Sequence, residues 1–169
     1  MKNLDYALRI LGQVKVPIIF TIYGPKEVPE YWRLCESLIA LLPAHILIQT
    51  FGSLHPSDVR ESLAKHDLFF LPTRGENYGH VIHEALSSGL PVLISDRTPW
   101  ADVEKCKVGW CCALDNASTF VATIEQVSGW GEAQHQKVAD SAIEYAQNQA
   151  SQTDTLERNR KLFISAMEG

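Results

Sequence analysis

Short apolar runs alternate with segments of helical periodicity along the chain. Short apolar runs typical of strands occur in "PIIFTIYG" (ending at Gly24), in 45–51 (closed by Gly52), in "DLFFLP", in "PVLIS" and in "VGWCCAL". The first of these runs is continuous and rich in β-branched residues, so we expect it to be a strand buried on both faces. Helical spacing predicts helices over 4–14 with Asn3 as N-cap, 30–42, 57–65 with Ser57 as cap, about 77–88, 118–127, 132–149 and 155–167. Strands that alternate with helices predict a doubly wound parallel α/β sheet in one domain, 1–169.

The order of the first elements is unusual for such a sheet. The first predicted element is a helix beginning almost at residue 1, whereas a doubly wound sheet normally opens with a strand. We therefore expect that the chain begins inside a βα unit and that an upstream half is missing. The alternative is a variant of the fold that starts with a helix.

The composition is that of an ordinary globular protein, with 46% hydrophobic and 21% charged residues. A net charge of −5 without a basic stripe argues against nucleic-acid binding. The apolar runs are too short to span a bilayer, and the N-terminus lacks a secretory signal, so we expect a cytoplasmic protein. Its four cysteines have no CxxC spacing and are expected to be reduced, mostly buried thiols.

The segment "GENYGHVIHEALSSGLPVLIS", 75–95, follows the third predicted strand. In open α/β sheets ligands bind outside the carboxyl ends of the strands, where this loop and helix lie. We expect Asn77 to cap the helix and Tyr78, Gly79 and His80 to form its first turn. The free N–H groups of such a turn suit a phosphate, and a glycine lets the phosphate approach the backbone.

Two carboxylates flank this turn. Glu84 lies outside the apolar stripe of the helix, about two turns from the expected phosphate, where it can accept hydrogen bonds from a vicinal diol such as a ribose. Glu76 precedes the helix and would be repelled by a diphosphate, so hydroxyl groups beyond the phosphates are its natural partners. The arrangement favours a nucleoside diphosphate-sugar as ligand.

Other interpretations of these residues remain open at this point. Glu76 and Glu84 could be solvated carboxylates that interact favourably with the helix dipole, or the paired carboxylates of a hydrolase. His80 and His83 have metal-compatible spacing but lack the H-E-x-x-H pattern and an obvious third ligand. Lys2 could be an unengaged terminal lysine. We expect Trp110 and Trp130 to be packing residues.

The sequence also carries a family resemblance. "PTRGENYGHVIHEALSSGLPVLIS" resembles the E-x7-E segment of retaining glycosyltransferases with the two-domain GT-B fold, family 4 in particular (glycosyl transferases group 1). "SDRTPW" is similar to bacterial members that build surface polysaccharides, and "KNLDYALRIL" resembles the Lys-Asn/Gly stretch whose lysine reaches the donor diphosphate. The resemblance covers essentially the whole chain but only the carboxyl-terminal, Rossmann-like half of the family's usual length.

The resemblance implies a donor-binding site, residue by residue. Lys2 matches the diphosphate lysine and Glu76 the sugar-contacting glutamate, which implies that these two are the catalytic residues; Glu84 matches the ribose glutamate. The remaining donor-binding residues that it implies are Asn77, Tyr78 and Gly79 in the phosphate-facing turn, with His80; Phe51, Gly52 and Leu54 beside the nucleobase; and Thr98 near the phosphates. No Asp-x-Asp motif is present, so neither a metal nor a cofactor is expected beside a UDP- or GDP-sugar substrate.

For the whole enzyme, the resemblance implies transfer of a hexose, with retention of configuration, to a hydroxyl of a saccharide or lipid-linked saccharide. The family's amino-terminal acceptor domain, its donor-contacting histidine and the arginine that usually precedes the lysine have no counterpart in the chain. We expect the isolated chain to bind donor weakly and not to complete the reaction. We expect at most peripheral association with the inner face of the membrane. The alternatives are a non-catalytic nucleotide-binding or assembly module with a degenerate site, and a GT-B epimerase.

Overall fold

A computed structural model describes the backbone of residues 2–167 and the side chains of residues 2–151. Two short 3-10 turns, at Pro56–Asp58 and Ala101–Val103, accompany the helices and strands. These are, in chain order, α1 (Leu4–Leu11), β1 (Ile18–Tyr23), α2 (Pro29–Ile39), β2 (Ile46–Phe51), α3 (Val59–Leu63), β3 (Phe69–Leu71), α4 (His80–Ser87), β4 (Val92–Ser95), β5 (Gly109–Cys112), α5 (Ala117–Ser128) and α6 (Glu132–Met167).

All of the observed strand pairs are parallel. β1 pairs with β2, starting at Ile18 opposite Ile46, and β4 lies between β3 and β5 in a second, three-stranded sheet. Helices cover both faces of the second sheet, since Val92 and Ile94 pack with α4 and α6 while Leu93 packs with α1 and α5. The predicted doubly wound parallel α/β architecture is therefore confirmed.

Two apolar cores correspond to these two faces. The first is built around the fully buried side chains of α4, β4 and α6, including Ile82, Leu86 and Ala142. The second contains Leu11, Phe120 and Leu93, and the inward-facing residues of β1 and β2 pack against it. This second core joins the two sheets on one side of the molecule.

The prediction that β1 is buried on both faces is wrong. On the face opposite the second core, Ile19 is 60% exposed and Leu47, its partner in the ladder, is 55% exposed. An uninterrupted apolar run predicts coverage of both faces, but coverage depends on which helices reach the sheet. Here α1 and α5 cover one face only, and the chain between β2 and β3 supplies only a 3-10 turn and the short helix α3.

Several predicted helix boundaries are also corrected. The segments 132–149 and 155–167 belong to one continuous helix, α6, because the polar stretch between them contains no proline or glycine to end it. Ser57 is not a cap: the side chain of His55 accepts the Ser57 N–H, and α3 begins after Asp58. α1 ends at Leu11 rather than at residue 14.

The four cysteines are free, and Cys35 and Cys112 are buried, whereas Cys106 is exposed and Cys111 is partly buried. The expectation of reduced thiols agrees with this, but only half of them are buried. Trp110 packs against the second core and contacts Trp130, so both are packing residues as predicted. Among the described helices, none combines the length and the apolar character needed to cross a membrane.

Candidate functional site

Two loops at the carboxyl edge of the second sheet are held together by three hydrogen bonds. The Ser95 hydroxyl, at the end of β4, donates to the Thr73 carbonyl at 2.6 Å. The Glu76 N–H donates to the Arg97 carbonyl at 3.1 Å, and the Trp100 indole N–H donates to the Tyr78 carbonyl at 2.7 Å. The loop after β3 and the loop after β4 thus form one surface beside the start of α4.

The start of α1 reaches this surface through Asn3, which is only 2% exposed. Its amide nitrogen donates to the Pro72 carbonyl at 2.9 Å, and its amide oxygen accepts from the Arg74 guanidinium at 3.0 Å. Asn3 occupies the predicted N-cap position of α1, in a left-handed conformation, but its side chain makes no capping hydrogen bond and binds the loop after β3 instead. This contact fixes the neighbouring Lys2 over the loop.

Lys2 and Glu76 form an ion pair, with 2.6 Å between Nζ and Oε2. The two residues lie 74 positions apart in sequence, and the Glu76 side chain is only 20% exposed. The hydrogen bond from Lys2 is the largest influence that lowers the pKa of Glu76, and a hydrogen bond from the Gly79 backbone lowers it further, against a raising effect of burial. Glu76 is therefore a carboxylate paired with a cation, beside the backbone of the turn at Gly79.

The turn before α4 differs in detail from the prediction. α4 begins at His80 and the residue at the N-cap position is Gly79, so Asn77 is not the cap, and Tyr78 and Gly79 precede the first turn. Gly79 has a φ of +79°, and a Cβ at this position would lie 2.8 Å from the indole nitrogen of Trp100. Both the backbone conformation and the close approach of Trp100 require glycine here.

Glu84 lies on the second turn of α4 with its side chain exposed, on the face away from the buried Ile82, Ala85 and Leu86. The expected orientation of the helix is thus confirmed. Glu84 lines an open groove of about 180 Å³ between α4 and the segment 56–60, together with His83 and Arg60.

Of the other predicted site residues, Thr98 and His80 adjoin this surface, whereas Phe51, Gly52 and Leu54 lie at or after the end of β2, in the first sheet. Thr98 accepts a hydrogen bond from the Trp100 N–H at 3.4 Å, within the loop after β4. His80 is exposed, with its ring 4.4 Å from that of Tyr78. Phe51 ends β2, and its ring stacks on that of Tyr23 at the end of β1. The next residue, Gly52, accepts a hydrogen bond from the Gly24 N–H, and Leu54 is half-buried.

Within residues 2–151, no three His, Cys, Asp or Glu side chains lie close enough together to hold a metal ion. His83 instead interacts with the Ala146 carbonyl of α6 at 3.2 Å. A metal centre built on His80 and His83 therefore finds no support in the described side chains.

Sequence reasoning missed three residues of this surface. Asn3 was predicted only as a cap, Arg74 was not singled out, and Trp100 was noted only within "SDRTPW". The signal for Asn3 was its position next to Lys2, and the signal for Trp100 was its position in the loop after β4. Neither the Asn3–Arg74 contact nor the Trp100–Tyr78 contact follows from sequence spacing, because each joins two separate loops.

Comparison with known proteins gives the fold and the family. A solved structure of WaaG, a glycosyltransferase involved in lipopolysaccharide biosynthesis, is 21% identical, with a TM-score of 0.68, over 86% of this chain and 39% of WaaG. Sucrose-phosphate synthase from Thermosynechococcus elongatus is 15% identical, with a TM-score of 0.73, over 97% of this chain and 43% of the synthase. The pneumococcal O-GlcNAc transferase GtfA, solved in complex with UDP and GlcNAc, is 17% identical, with a TM-score of 0.65, over 93% of this chain and 33% of GtfA.

The chain spans less than half the length of each of these proteins, and the likeness is to one Rossmann-like half of the GT-B fold. A comparison with curated protein sequences finds no significant match. The sequence pattern of the family described as "Glycosyl transferases group 1" matches residues 1–149, which is most of the sequence. The chain belongs to the family of group 1 glycosyl transferases.

Proposed function

We propose that this chain is the donor-binding domain of a retaining glycosyltransferase that uses a nucleoside diphosphate-hexose. The observation that carries the proposal is the meeting of Lys2, Glu76 and the Gly79 turn at the carboxyl edge of the sheet. A cation, a backbone N–H and a glycine without a Cβ form the chemistry that an anionic diphosphate requires. Membership of the family supports the same interpretation.

Each part of the donor is assigned to its own group of residues. The diphosphate lies at Lys2 and the turn formed by Asn77, Tyr78 and Gly79, beside His80 and Thr98. The ribose lies at Glu84, whose exposed carboxylate faces the groove beside α4. The nucleobase lies towards the end of β2, where Phe51, Gly52 and Leu54 form the turn.

These residues have two roles in the proposed reaction. Lys2 and the N-terminus of α4 stabilise the negative charge that develops on the departing diphosphate. Glu76 orients the hexose through its hydroxyl groups, and no protein nucleophile is required of it. We propose that the donor site works without a metal ion or another cofactor.

The Lys2–Glu76 ion pair gives the site a resting arrangement. The carboxylate of Glu76 now occupies the positions, at Lys2 and near the Gly79 N–H, that we assign to the diphosphate. Donor binding therefore exchanges one anion for another at Lys2. Released from Lys2, Glu76 is free to accept hydrogen bonds from the hexose.

Further parts of the reaction belong to the whole enzyme. We propose that a second, acceptor-binding domain completes the active site, since the similar structures are more than twice as long as the matched region. The acceptor is a saccharide or a lipid-linked saccharide, as in the synthesis of bacterial surface polysaccharides. The enzyme would then act in the cytoplasm, with peripheral association at the inner face of the membrane.

Substitution of Glu84 tests the assignment of the donor. Glu84→Gln keeps the shape of the side chain but removes its charge. Because hydrogen bonds to charged groups contribute about 1.5–3 kcal/mol, affinity for UDP or GDP should fall about 10- to 150-fold. Glu76→Gln should not weaken binding of these sugar-free diphosphates, since Glu76 faces the hexose and its loss frees Lys2. Titration calorimetry measures both variants against the wild type.

The control for this experiment addresses the metal alternative. His80→Ala and His83→Ala should not abolish binding, and EDTA should leave all of the affinities unchanged. Equal losses in the two glutamate variants, or a chelator-sensitive signal that depends on the histidines, would contradict the proposed site. Absence of nucleotide binding by the wild-type chain would favour a non-catalytic module instead.

A further inference from the structure

We propose that Trp100 is a positioning residue for the phosphate-binding turn: its indole N–H holds the Tyr78 carbonyl so that the Gly79 N–H points towards the donor diphosphate. This inference rests on the proposed function, because it concerns the same site. It assigns a role in donor binding to a residue that makes no contact with the donor itself.

The first step is the hydrogen bond. Trp100 is 7% exposed, and its Nε1 lies 2.7 Å from the carbonyl oxygen of Tyr78. Tyr78 itself is 47% exposed, so its carbonyl faces the protein while its side chain faces solvent. The indole therefore holds the backbone at Tyr78 from the protein side, although the Tyr78 side chain is exposed.

The second step follows from the geometry of the peptide bond. None of the described peptide bonds is cis, so the Tyr78 carbonyl and the Gly79 N–H point in opposite directions from a planar unit. When the carbonyl is held by the indole, the N–H must face away from it. The Glu76 side chain already lies beside this turn, since its Cγ would be 3.3 Å from a Cβ on Gly79, and the Gly79 backbone helps to lower the pKa of Glu76.

The third step is the support of the indole ring. The ring centroids of His83, on α4, and Tyr145, on α6, each lie 6.2 Å from that of Trp100. The Tyr145 hydroxyl donates to Asp102 at 2.6 Å, which attaches α6 to the chain just after Trp100. The indole is thus fixed by two helices, and Gly79 provides the space that its Nε1 occupies.

The alternative is that Trp100 contributes only apolar packing to the first core, of which it is a member. Trp100→Phe separates the two roles, since it keeps an aromatic ring but removes the N–H donor. A packing role predicts a change in stability without a change in the orientation of the turn. A positioning role predicts a change in the pKa of Glu76 and in the affinity for nucleotide.

The experiment combines a readout without ligand and a readout with ligand. Carboxyl NMR titration of the whole chain measures the pKa of Glu76, which should rise in Trp100→Phe because the Gly79 N–H is no longer held towards it. Titration calorimetry with UDP and GDP should show an affinity about 2- to 12-fold lower, as expected for loss of one neutral hydrogen bond. Trp130→Phe, which removes an indole from the contact with Trp110, is the matched control and should change neither quantity.

The outcomes distinguish this inference from the proposed function. A raised Glu76 pKa together with weaker binding supports the positioning role. An unchanged Glu76 pKa overturns it, whether the variant binds normally or binds less only because it is less stable in thermal denaturation. If the Glu76 pKa rises but the wild-type chain binds neither UDP nor GDP, then Trp100 orients the turn but the proposed donor site is wrong. In that case Trp100 has no role in donor binding.

Discussion

At the scale of single residues, the site depends on contacts that join distant parts of the chain. Asn3 and Lys2 reach the loop after β3, and Trp100 reaches the carbonyl of Tyr78. The sequence had predicted Lys2, Glu76 and Gly79 as site residues. Their mutual contacts could not be, because spacing along the chain does not show which loops meet.

Gly79 provides a test of this arrangement at the level of stability. Gly79→Ala places a Cβ 2.8 Å from the Trp100 indole nitrogen and forces a non-glycine residue to a φ of +79°. Such strained backbone costs on the order of 1–3 kcal/mol, so the free energy of unfolding should fall by about that amount. Urea denaturation of the variant and the wild type measures the difference.

Gly75 offers a matched control in the same loop. A Cβ there meets nothing within 4 Å and the residue has no positive φ, so Gly75→Ala should change the stability by less than about 0.5 kcal/mol. Equal effects of the two substitutions would show that the glycine at 79 is not specifically required.

At the scale of elements, periodicity predicted the type and order of the helices and strands. The structure differs from the prediction in which strand faces are covered by helices and in where the helices begin and end. α4 was predicted with its buried face, because the apolar residues recur at helical spacing. The predicted start of α4 at Asn77 was wrong, because Gly79 is the residue at the N-cap position. The close approach of Trp100, which requires glycine at 79, is not visible in the sequence. The exposed face of β1 was missed because an apolar run carries no information about neighbouring helices.

The packing of α6 on α4 gives a prediction at this scale. Ala142 is fully buried in the first core, where α6 meets α4. Ala142→Leu adds three carbon atoms to a filled space, and overpacking of this kind typically costs about 1–3 kcal/mol. Thermal denaturation should show a lower midpoint for this variant.

Ala150, exposed on the same helix, is the control for this prediction. Ala150→Leu introduces the same side chain at the surface and should change the stability by less than about 0.5 kcal/mol. A comparable loss in both variants would indicate that the helix itself, rather than its contact with α4, is sensitive to leucine.

At the scale of the whole molecule, the chain carries a net charge of −5 and is proposed to bind an anion. The overall field opposes the approach of a diphosphate, and only local groups can attract it. In the resting structure the lysine at the site is already paired with a carboxylate. The attraction that a diphosphate gains at Lys2 is therefore offset by the attraction that Glu76 gives up.

This ion pair has a consequence for the effect of ionic strength. Between 0.1 M and 1 M salt the Debye length shortens from about 10 Å to about 3 Å, which weakens exposed charge pairs of either kind. Because the wild-type chain exchanges one pair for another, and salt also screens the general repulsion, its affinity for UDP should be nearly independent of salt. In Glu76→Gln, Lys2 has no carboxylate to lose, and the affinity should fall as salt is added. Calorimetric titrations of both proteins across this range compare the two slopes, and equal slopes would mean that Glu76 and the diphosphate do not compete for Lys2.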